Sequence, residues 1–307
     1  MTKRNKYLIT VVGPTAIGKT ATAIELAQHL RCDIISCDSR QFYKEMSIGT
    51  AVPSTGELNA AKHHFIHNKS VFDTYTVGDF EKDALTTLEK LFETNDFAVM
   101  VGGSGLYVDA VLKGFDDFPE IDPGLRSEIS AKYEQSGIEY LQKELKRLDP
   151  EYYKIVDSEN PQRMMRALEV TLSTGKPYSS FLHGKKNKRN FTPIVIGIEA
   201  EREIIYDRIN RRVEMMMDDG LLDEAKELYT HKDLNALQTV GYRELFGYFD
   251  GEYDLDFAVA EIKKNTRRFA KRQMTWFRKN QEIKWFDYTA PRVEILDYIK
   301  QVTESQR

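Results

Sequence analysis

Tyr7-Leu8-Ile9-Thr10-Val11-Val12 runs straight into Gly13-Pro14-Thr15-Ala16-Ile17-Gly18-Lys19-Thr20, and this stretch decides the fold. The first six residues are apolar and β-prone. The next eight fit the phosphate-loop spacing G-x4-G-K-[ST], and a helical pattern follows with Ala23, Leu26, Ala27 and Leu30 on one face. Glycines let the backbone curl so that successive amide hydrogens point into one concavity. That concavity sits at a helix N-terminus whose dipole also favours anions. A diphosphate is the matching ligand, cradled by the backbone of Gly13, Pro14, Thr15, Ala16, Ile17 and Gly18. Lys19 is then expected to neutralise phosphate oxygens and Thr20 to offer its hydroxyl to a Mg²⁺ that shares them.

Working outward, apolar runs at Cys32–Ser36, Phe97–Val101 and Pro193–Ala200 read as further strands, with a short late one near Ile283–Phe286 and a helix around Asp79–Glu93. Strands alternating with helices predict an α/β fold: a parallel sheet flanked by helices, as in phosphate-loop nucleotide hydrolases. Between Asp122 and Gly184 the strand signals vanish. Asp122-Pro123 and Asn160-Pro161 each place a capping residue before a proline. This predicts a helical insertion domain over 122–190, between core segments 1–121 and 191–307. It ends in a basic loop, His183–Arg189, carrying Lys185, Lys186, Lys188 and Arg189.

The whole-chain charge of −4, from 44 basic and 48 acidic residues in 307, leaves no overall electrostatic footprint for nucleic acid. An RNA surface must be local, and Glu261–Asn280 is the candidate. It holds Lys263, Lys264, Arg267, Arg268, Lys271, Arg272, Arg278 and Lys279 against the single acid Glu261. Ile262, Phe269 and Gln273 fall on a different sector of that helix and are expected to pack. Solvated charge alone explains such a stripe more often than nucleic acid does. Two cysteines, Cys32 and Cys37, without zinc-module spacing suit a reducing cytoplasm. No signal-peptide pattern and no membrane-length apolar run is present. His63 and His64 are adjacent and point to opposite sides, which disfavours a metal pair. Met164–Met165 and Met215–Met217 read as core methionines, and Trp276 and Phe277 as buried against the sheet domain.

The phosphate loop does not settle the reaction. A hydrolase of this class carries an acidic residue at a strand end to position Mg²⁺ and water, yet Phe97–Val101 ends in Gly102-Gly103-Ser104-Gly105. Ser104 either bonds a phosphate or nucleophile or is an ordinary loop serine satisfied by backbone. Asp38, just beyond the second strand, points toward the ligand crevice of an open sheet. Ser39, Arg40 and Gln41 add donors and an amide suited to a base edge. The bland reading of Asp38 is a turn aspartate capping amides.

Gly13–Thr20, Asp38-Ser-Arg-Gln-Phe-Tyr43, Ile48-Gly-Thr-Ala51, Val101-Gly-Gly-Ser-Gly-Leu-Tyr107, the Pro161–Val170 segment, Val240-Gly-Tyr-Arg-Glu244 and the Lys271–Arg278 segment together resemble the bacterial tRNA dimethylallyltransferase family. The motifs keep the family's order over nearly the whole chain. Ser104 stands where some members have threonine, and the zinc-finger extension of eukaryotic relatives has no counterpart here. The resemblance implies transfer of a dimethylallyl group from dimethylallyl diphosphate to N6 of the adenine beside the anticodon, in a cytoplasmic monomer using Mg²⁺. It implies catalytic roles for Asp38, Lys19 and Ser104. It implies contact with the tRNA anticodon stem-loop by Asp38, Ser39, Arg40, Gln41, Ser104, Arg126, Gln162, Arg163, Met164, Met165, Arg166, Arg243, Lys271 and Arg272. Without it, Arg163 reads as a solvated helix residue and Arg166 as an intrahelical partner of Glu169. The rival readings are an adenylate prenyltransferase, a phosphate-loop nucleotide kinase that binds ATP-like nucleotides, and a non-catalytic RNA-binding module.

Overall fold

The computed structural model describes residues 5–114, 116, 118, 121–182 and 188–305. Residues 183–187 of the basic loop, including Lys185 and Lys186, lie outside them. Contacts divide the chain into two compact units, one formed by 1–113 with 188–307 and the other by 114–187.

The first unit is built on six parallel strands: β1 (Tyr7–Val12), β2 (Ile34–Ser36), β3 (His63–His64), β4 (Phe97–Val101), β5 (Thr192–Glu199) and β6 (Lys284–Asp287). Their order is β3-β2-β4-β1-β5-β6. Neighbouring strands that all run one way require crossovers, and helices supply them: α1 (Lys19–Leu30) follows β1, α2 (Thr55–Ala60) precedes β3, and α3 (Val77–Thr94) precedes β4. Then α4 (Gly105–Lys113) leads out of the sheet. The strand alternation divides the core. Tyr7, Ile9 and Val11 pack on one face with Ala23, Leu26 and Ile196, while Leu8 and Val12 pack on the other with Phe42, Phe80 and Met100. Strand β3 was not expected from the sequence, because two histidines carry no apolar alternation. His64 Nε2 lies 2.8 Å from Asp33 Oδ2, so its partner is a carboxylate beside β2.

The second unit contains the helical stretch α5 (Pro123–Leu148), broken at Gly137, then α6 (Pro150–Tyr153) and α7 (Pro161–Thr174). The caps expected at Asp122 and Asn160 are present: each side chain accepts a backbone hydrogen bond, from Gly124 and Arg163 respectively. The chain re-enters the first unit at β5 and continues as α8 (Arg202–Asp218), α9 (Leu221–Leu228), α10 (Tyr242–Phe249), α11 (Leu255–Phe277), β6 and α12 (Arg292–Ser305). Met215 departs from the expected core placement. It is 62% exposed on α8, whereas Met216 and Met217 are half-buried.

Candidate active site

The loops beyond the C-terminal ends of β1, β2 and β4 converge, as expected for an open parallel sheet. Gly13 leaves β1 at φ 147°, and a Cβ there would come within 2.4 Å of the Ile198 carbonyl oxygen, so only glycine lets β1 and β5 run this close. Ala16 and Ile17 turn their side chains into the core, which leaves their backbone to form the loop. Gly18, left-handed at φ 104°, starts α1 without a side-chain cap. The Lys19 ammonium donates to the Pro14 carbonyl at 2.7 Å, bridging the loop's own ends.

Residues from far along the chain brace this loop. On α8, Arg208 donates to the Ala16 carbonyl at 2.7 Å and Arg212 to the Thr15 hydroxyl at 3.2 Å. On α11, Gln273 accepts from the Thr15 amide at 2.9 Å and donates to the Gly103 carbonyl at 3.0 Å, tying the β1 loop to the β4 loop. The helical pattern of the sequence marks Gln273 only for packing and gives neither arginine a role. Their contacts span 170 to 258 positions of sequence and leave no local signal.

A cavity of about 560 Å³ opens here, lined by the polar Thr15, Asp38, Ser39, Ser104 and Arg212 and by the apolar Leu106, Val213, Met216, Leu221, Ile262 and Trp276 among others. Its charges are unusual. Burial, aided by the nearby Arg212 charge and opposed by Asp38, drops the Lys19 pKa to about 7. Burial also raises the Asp38 carboxyl above its ordinary value, although the Arg40 amide, Lys19, Arg40 and Arg212 pull the other way. Burial holds Arg212 below its usual value, with Arg208 adding to the effect. A desolvated cation–carboxylate–cation set at the mouth of an anion-binding loop marks a reactive centre.

Ser104 accepts from the Ser39 amide at 3.1 Å and its hydroxyl donates to Ser39 Oγ at 3.2 Å, while it also lines the cavity. The loop-serine reading is met through Ser39, and the placement on the cavity leaves the hydroxyl near the site. Arg40 lines the same cavity and spends one nitrogen on the carbonyls of Asn235 and Ala236, at 3.0 Å each. Gln41 departs from the base-edge reading. Its amide nitrogen donates to the Thr50 and Ala51 carbonyls and its oxygen accepts from Ser36, so the side chain is a bracket within the protein. Asp38 Oδ1 accepts from the Arg40 amide at 3.1 Å, so it caps its turn as well as facing the cavity. Among the described residues no group of three His, Cys, Asp or Glu is placed to hold a metal ion. A Mg²⁺ held largely by phosphate oxygens and water would need no such cluster, and Thr20, half-buried on the first turn of α1, would be the residue to offer it a hydroxyl.

Of the basic helix, Arg272 lines the cavity and Lys271 is exposed, while Arg243, on α10, lines the cavity as well. Phe269, expected to pack, is instead 37% exposed with the Arg272 guanidinium 5.8 Å from its ring centre. Lys263, Lys264 and Arg278 are paired with Glu214, Glu261 and Glu199. Arg189, from the basic loop, is a structural ion pair with Glu81 at 2.6 Å and also bonds the carbonyls of Ala110 and Val111. Trp276 lines the cavity and donates to Asp109 at 2.9 Å, while Phe277 is buried as expected. In the second unit Arg126 bonds Glu169, at 2.6 Å, and Gln162, and Arg166 lies 3.5 Å from the same Glu169 and over the Phe118 ring. The intrahelical Arg166–Glu169 pair is thus present. Arg163 is exposed. Met164 and Met165 are fully buried with Ile129, Leu141 and Leu168, which corrects any direct RNA contact by their side chains to a packing role.

Fold and cavity together define a phosphate-loop α/β protein in which the half-buried Asp38 carboxylate lines a cavity beside the loop. The chain belongs to the IPP transferase family, whose model matches residues 41–280. It is 67% identical over 300 residues to the tRNA dimethylallyltransferase of Flavobacterium johnsoniae, covering 96% of this chain and 97% of that protein. Among solved structures, the full-length tRNA isopentenylpyrophosphate transferase of Bacillus halodurans is 36% identical with a TM-score of 0.74, covering 98% of each chain. The tRNA delta(2)-isopentenylpyrophosphate transferase of Staphylococcus epidermidis is 31% identical with a TM-score of 0.71, covering 99% of this chain and all of that one.

Proposed function

We propose that this protein transfers the dimethylallyl group of dimethylallyl diphosphate to N6 of the adenine 3′ of the anticodon in tRNA, giving N6-(dimethylallyl)adenosine and diphosphate. The observation that carries the reading is the placement of Asp38 and Arg212 on one cavity, beside the loop that Lys19 closes and below an apolar wall that suits a five-carbon prenyl chain. The exocyclic nitrogen attacks C1 of the prenyl group as the carbon–oxygen bond to diphosphate breaks. Loop amides, Lys19 and Arg212 balance the charge growing on the departing oxygens. Asp38 takes the proton that the nitrogen sheds as positive charge develops there. Burial raises its pKa, which makes its carboxylate a stronger base than that of an exposed aspartate. Ser104, joined to Ser39, holds the turn that carries Asp38 and presents a hydroxyl toward the acceptor. Mg²⁺, when bound through Thr20 and the diphosphate, supplies further charge neutralisation of the leaving group.

The adenine must leave its stack to reach such a crevice. Arg126, Gln162, Arg163 and Arg166, with Ser39, Arg40, Arg243, Lys271 and Arg272, are the proposed contacts to the anticodon stem-loop, whose phosphates and unstacked bases suit exposed guanidinium groups. We assign the protein to the cytoplasm, where its tRNA substrate is met, as a monomer. Among the described residues no helix is long and apolar enough to cross a membrane. Incubation with Mg²⁺, dimethylallyl diphosphate and either unmodified tRNA or AMP, followed by digestion and mass spectrometry of the nucleosides, tests the reading. Prenylated adenosine from tRNA alone is expected. Product from AMP in preference would transfer the assignment to an adenylate prenyltransferase, and none from either would remove it.

A further inference from the structure

One carboxylate outside the reacting set is tied to the cavity wall by four donors. Glu224, on α9, accepts the backbone N–H groups of Ser47 and Ile48 on Oε2, at 2.9 and 2.8 Å. Its Oε1 accepts the Gly49 N–H at 2.9 Å and the Tyr242 hydroxyl at 2.6 Å. Three consecutive amides curled around one anion form a nest, here filled by the protein's own side chain. The grip is reinforced from α10, where the Tyr242 ring is fully buried against Gly49. A Cβ on Gly49 would approach that ring to 2.6 Å.

The gripped segment is part of the site. Gly49, Thr50 and Ala51 line the cavity, and Ala51 adopts a left-handed φ of 51°, a conformation that a non-glycine residue keeps only when its surroundings impose it. The Thr50 and Ala51 carbonyls hold the Gln41 amide, at 3.2 and 3.0 Å, and the Gln41 backbone N–H donates to the Asp38 carbonyl at 3.1 Å. A continuous chain of hydrogen bonds thus runs from Glu224 through the 47–51 turn and Gln41 to the backbone of Asp38. None of these links touches the phosphate loop.

We propose that Glu224 is a positioning residue for the transfer step: with Tyr242 it locks the Ser47–Ala51 turn, and through Gln41 it sets the placement of the Asp38 carboxylate against the acceptor nitrogen. This rests on the prenyl-transfer reading above. Small misplacements of a reacting group cost on the order of tenfold to a hundredfold in rate. Substitution of Glu224 therefore acts on the chemical step while leaving the diphosphate end intact.

Single-turnover transfer from dimethylallyl diphosphate to tRNA and the dissociation constant of inorganic diphosphate are measured side by side for wild type, Glu224→Gln and Tyr242→Phe. Glu224→Gln turns an acceptor into a donor facing amides, and is expected to slow transfer at least about tenfold. Diphosphate affinity should stay within about twofold of wild type, because the loop's own contacts are untouched. Tyr242→Phe keeps the ring and removes one donor of four, so it should slow transfer by a smaller factor with the same split. It also carries the test should Glu224→Gln fail to fold. Folded variants with wild-type single-turnover rates overturn the proposal. So does a loss of diphosphate affinity in step with the rate, which marks a general structural role. Absence of transfer by the unmodified chain overturns the functional reading and this proposal together, whereas an active wild type with unaffected variants overturns the proposal alone.

Discussion

The charges around the phosphate loop and those on the helical unit of residues 114–187 are put to opposite uses. Lys19, Asp38 and Arg212 are desolvated enough that all three are displaced from their ordinary protonation equilibria. Arg126 and Arg166 keep water on nearly half their side-chain surface and share one buried acid, Glu169, while Arg163 is exposed. In the first region each charge costs free energy to hold in place, and an anion seated in the loop would offset that cost for Lys19 and Arg212 but not for Asp38. In the second region Arg163 is free of the pairs that Arg126 and Arg166 make to Glu169, so its charge is held at little cost in the folded chain. Buried charge concentrates effect in few residues. Exposed charge spreads it.

The sharpest break of that contrast is Asp38→Ala. Removing the proton acceptor should lower single-turnover transfer by about 10²- to 10⁴-fold, the range that general-base groups supply. Inorganic diphosphate should bind no more weakly, because one negative charge near Lys19 has been removed. Near wild-type transfer by this variant, measured by quench-flow with labelled donor, would dismiss Asp38 as the base.

The next effect is one of pH. With its pKa near 7 in the free protein, Lys19 is half-neutral at physiological pH, and a bound diphosphate favours the ammonium. Binding therefore takes up a proton above pH 7. The lysine's contribution to donor affinity is complete below pH 7 and falls by up to about tenfold per unit as pH rises, until the bound-state pKa is passed. Lys19→Met supplies the baseline, because the ligand's own titration remains in the variant. Affinity profiles of wild type and variant that run parallel between pH 7 and 9 would show that burial does not depress this lysine.

How far the sequence reached follows the same division. The phosphate loop is a local device, complete within Gly13–Thr20, and Asp38 is found by the rule that strand ends face the crevice. The parallel sheet was legible for the same reason, since each apolar strand announces itself. What the sequence concealed is what closes the site from a distance: Arg208, Arg212, Gln273 and Glu224 reach it over more than 150 positions. Gln41 shows the converse error. An amide beside a catalytic turn invited a ligand role, but its oxygen and nitrogen are both consumed by Ser36, Thr50 and Ala51. Residue type signals what a side chain can bond, and only packing decides which bond it makes.

The smallest effect belongs to the exposed arginines and tests whether their charge is used additively. Arg163→Ala removes a cation from the first turn of α7, where the helix dipole adds to its pull on phosphate. It should weaken tRNA binding by ~1 kcal/mol and reduce the slope of log affinity against log salt by about one, with little change in transfer rate once tRNA is saturating. Arg166→Ala should cost less than that, because Glu169 already claims part of its charge. Electrophoretic or fluorescence titrations at several salt concentrations separate the two, since an arginine freed from phosphate lowers the slope and one held by Glu169 leaves it nearly unchanged. Equal slopes for wild type and Arg163→Ala would remove that residue from the phosphate-tracking surface, and the contrast with the buried set would then rest on Arg126 and Arg166.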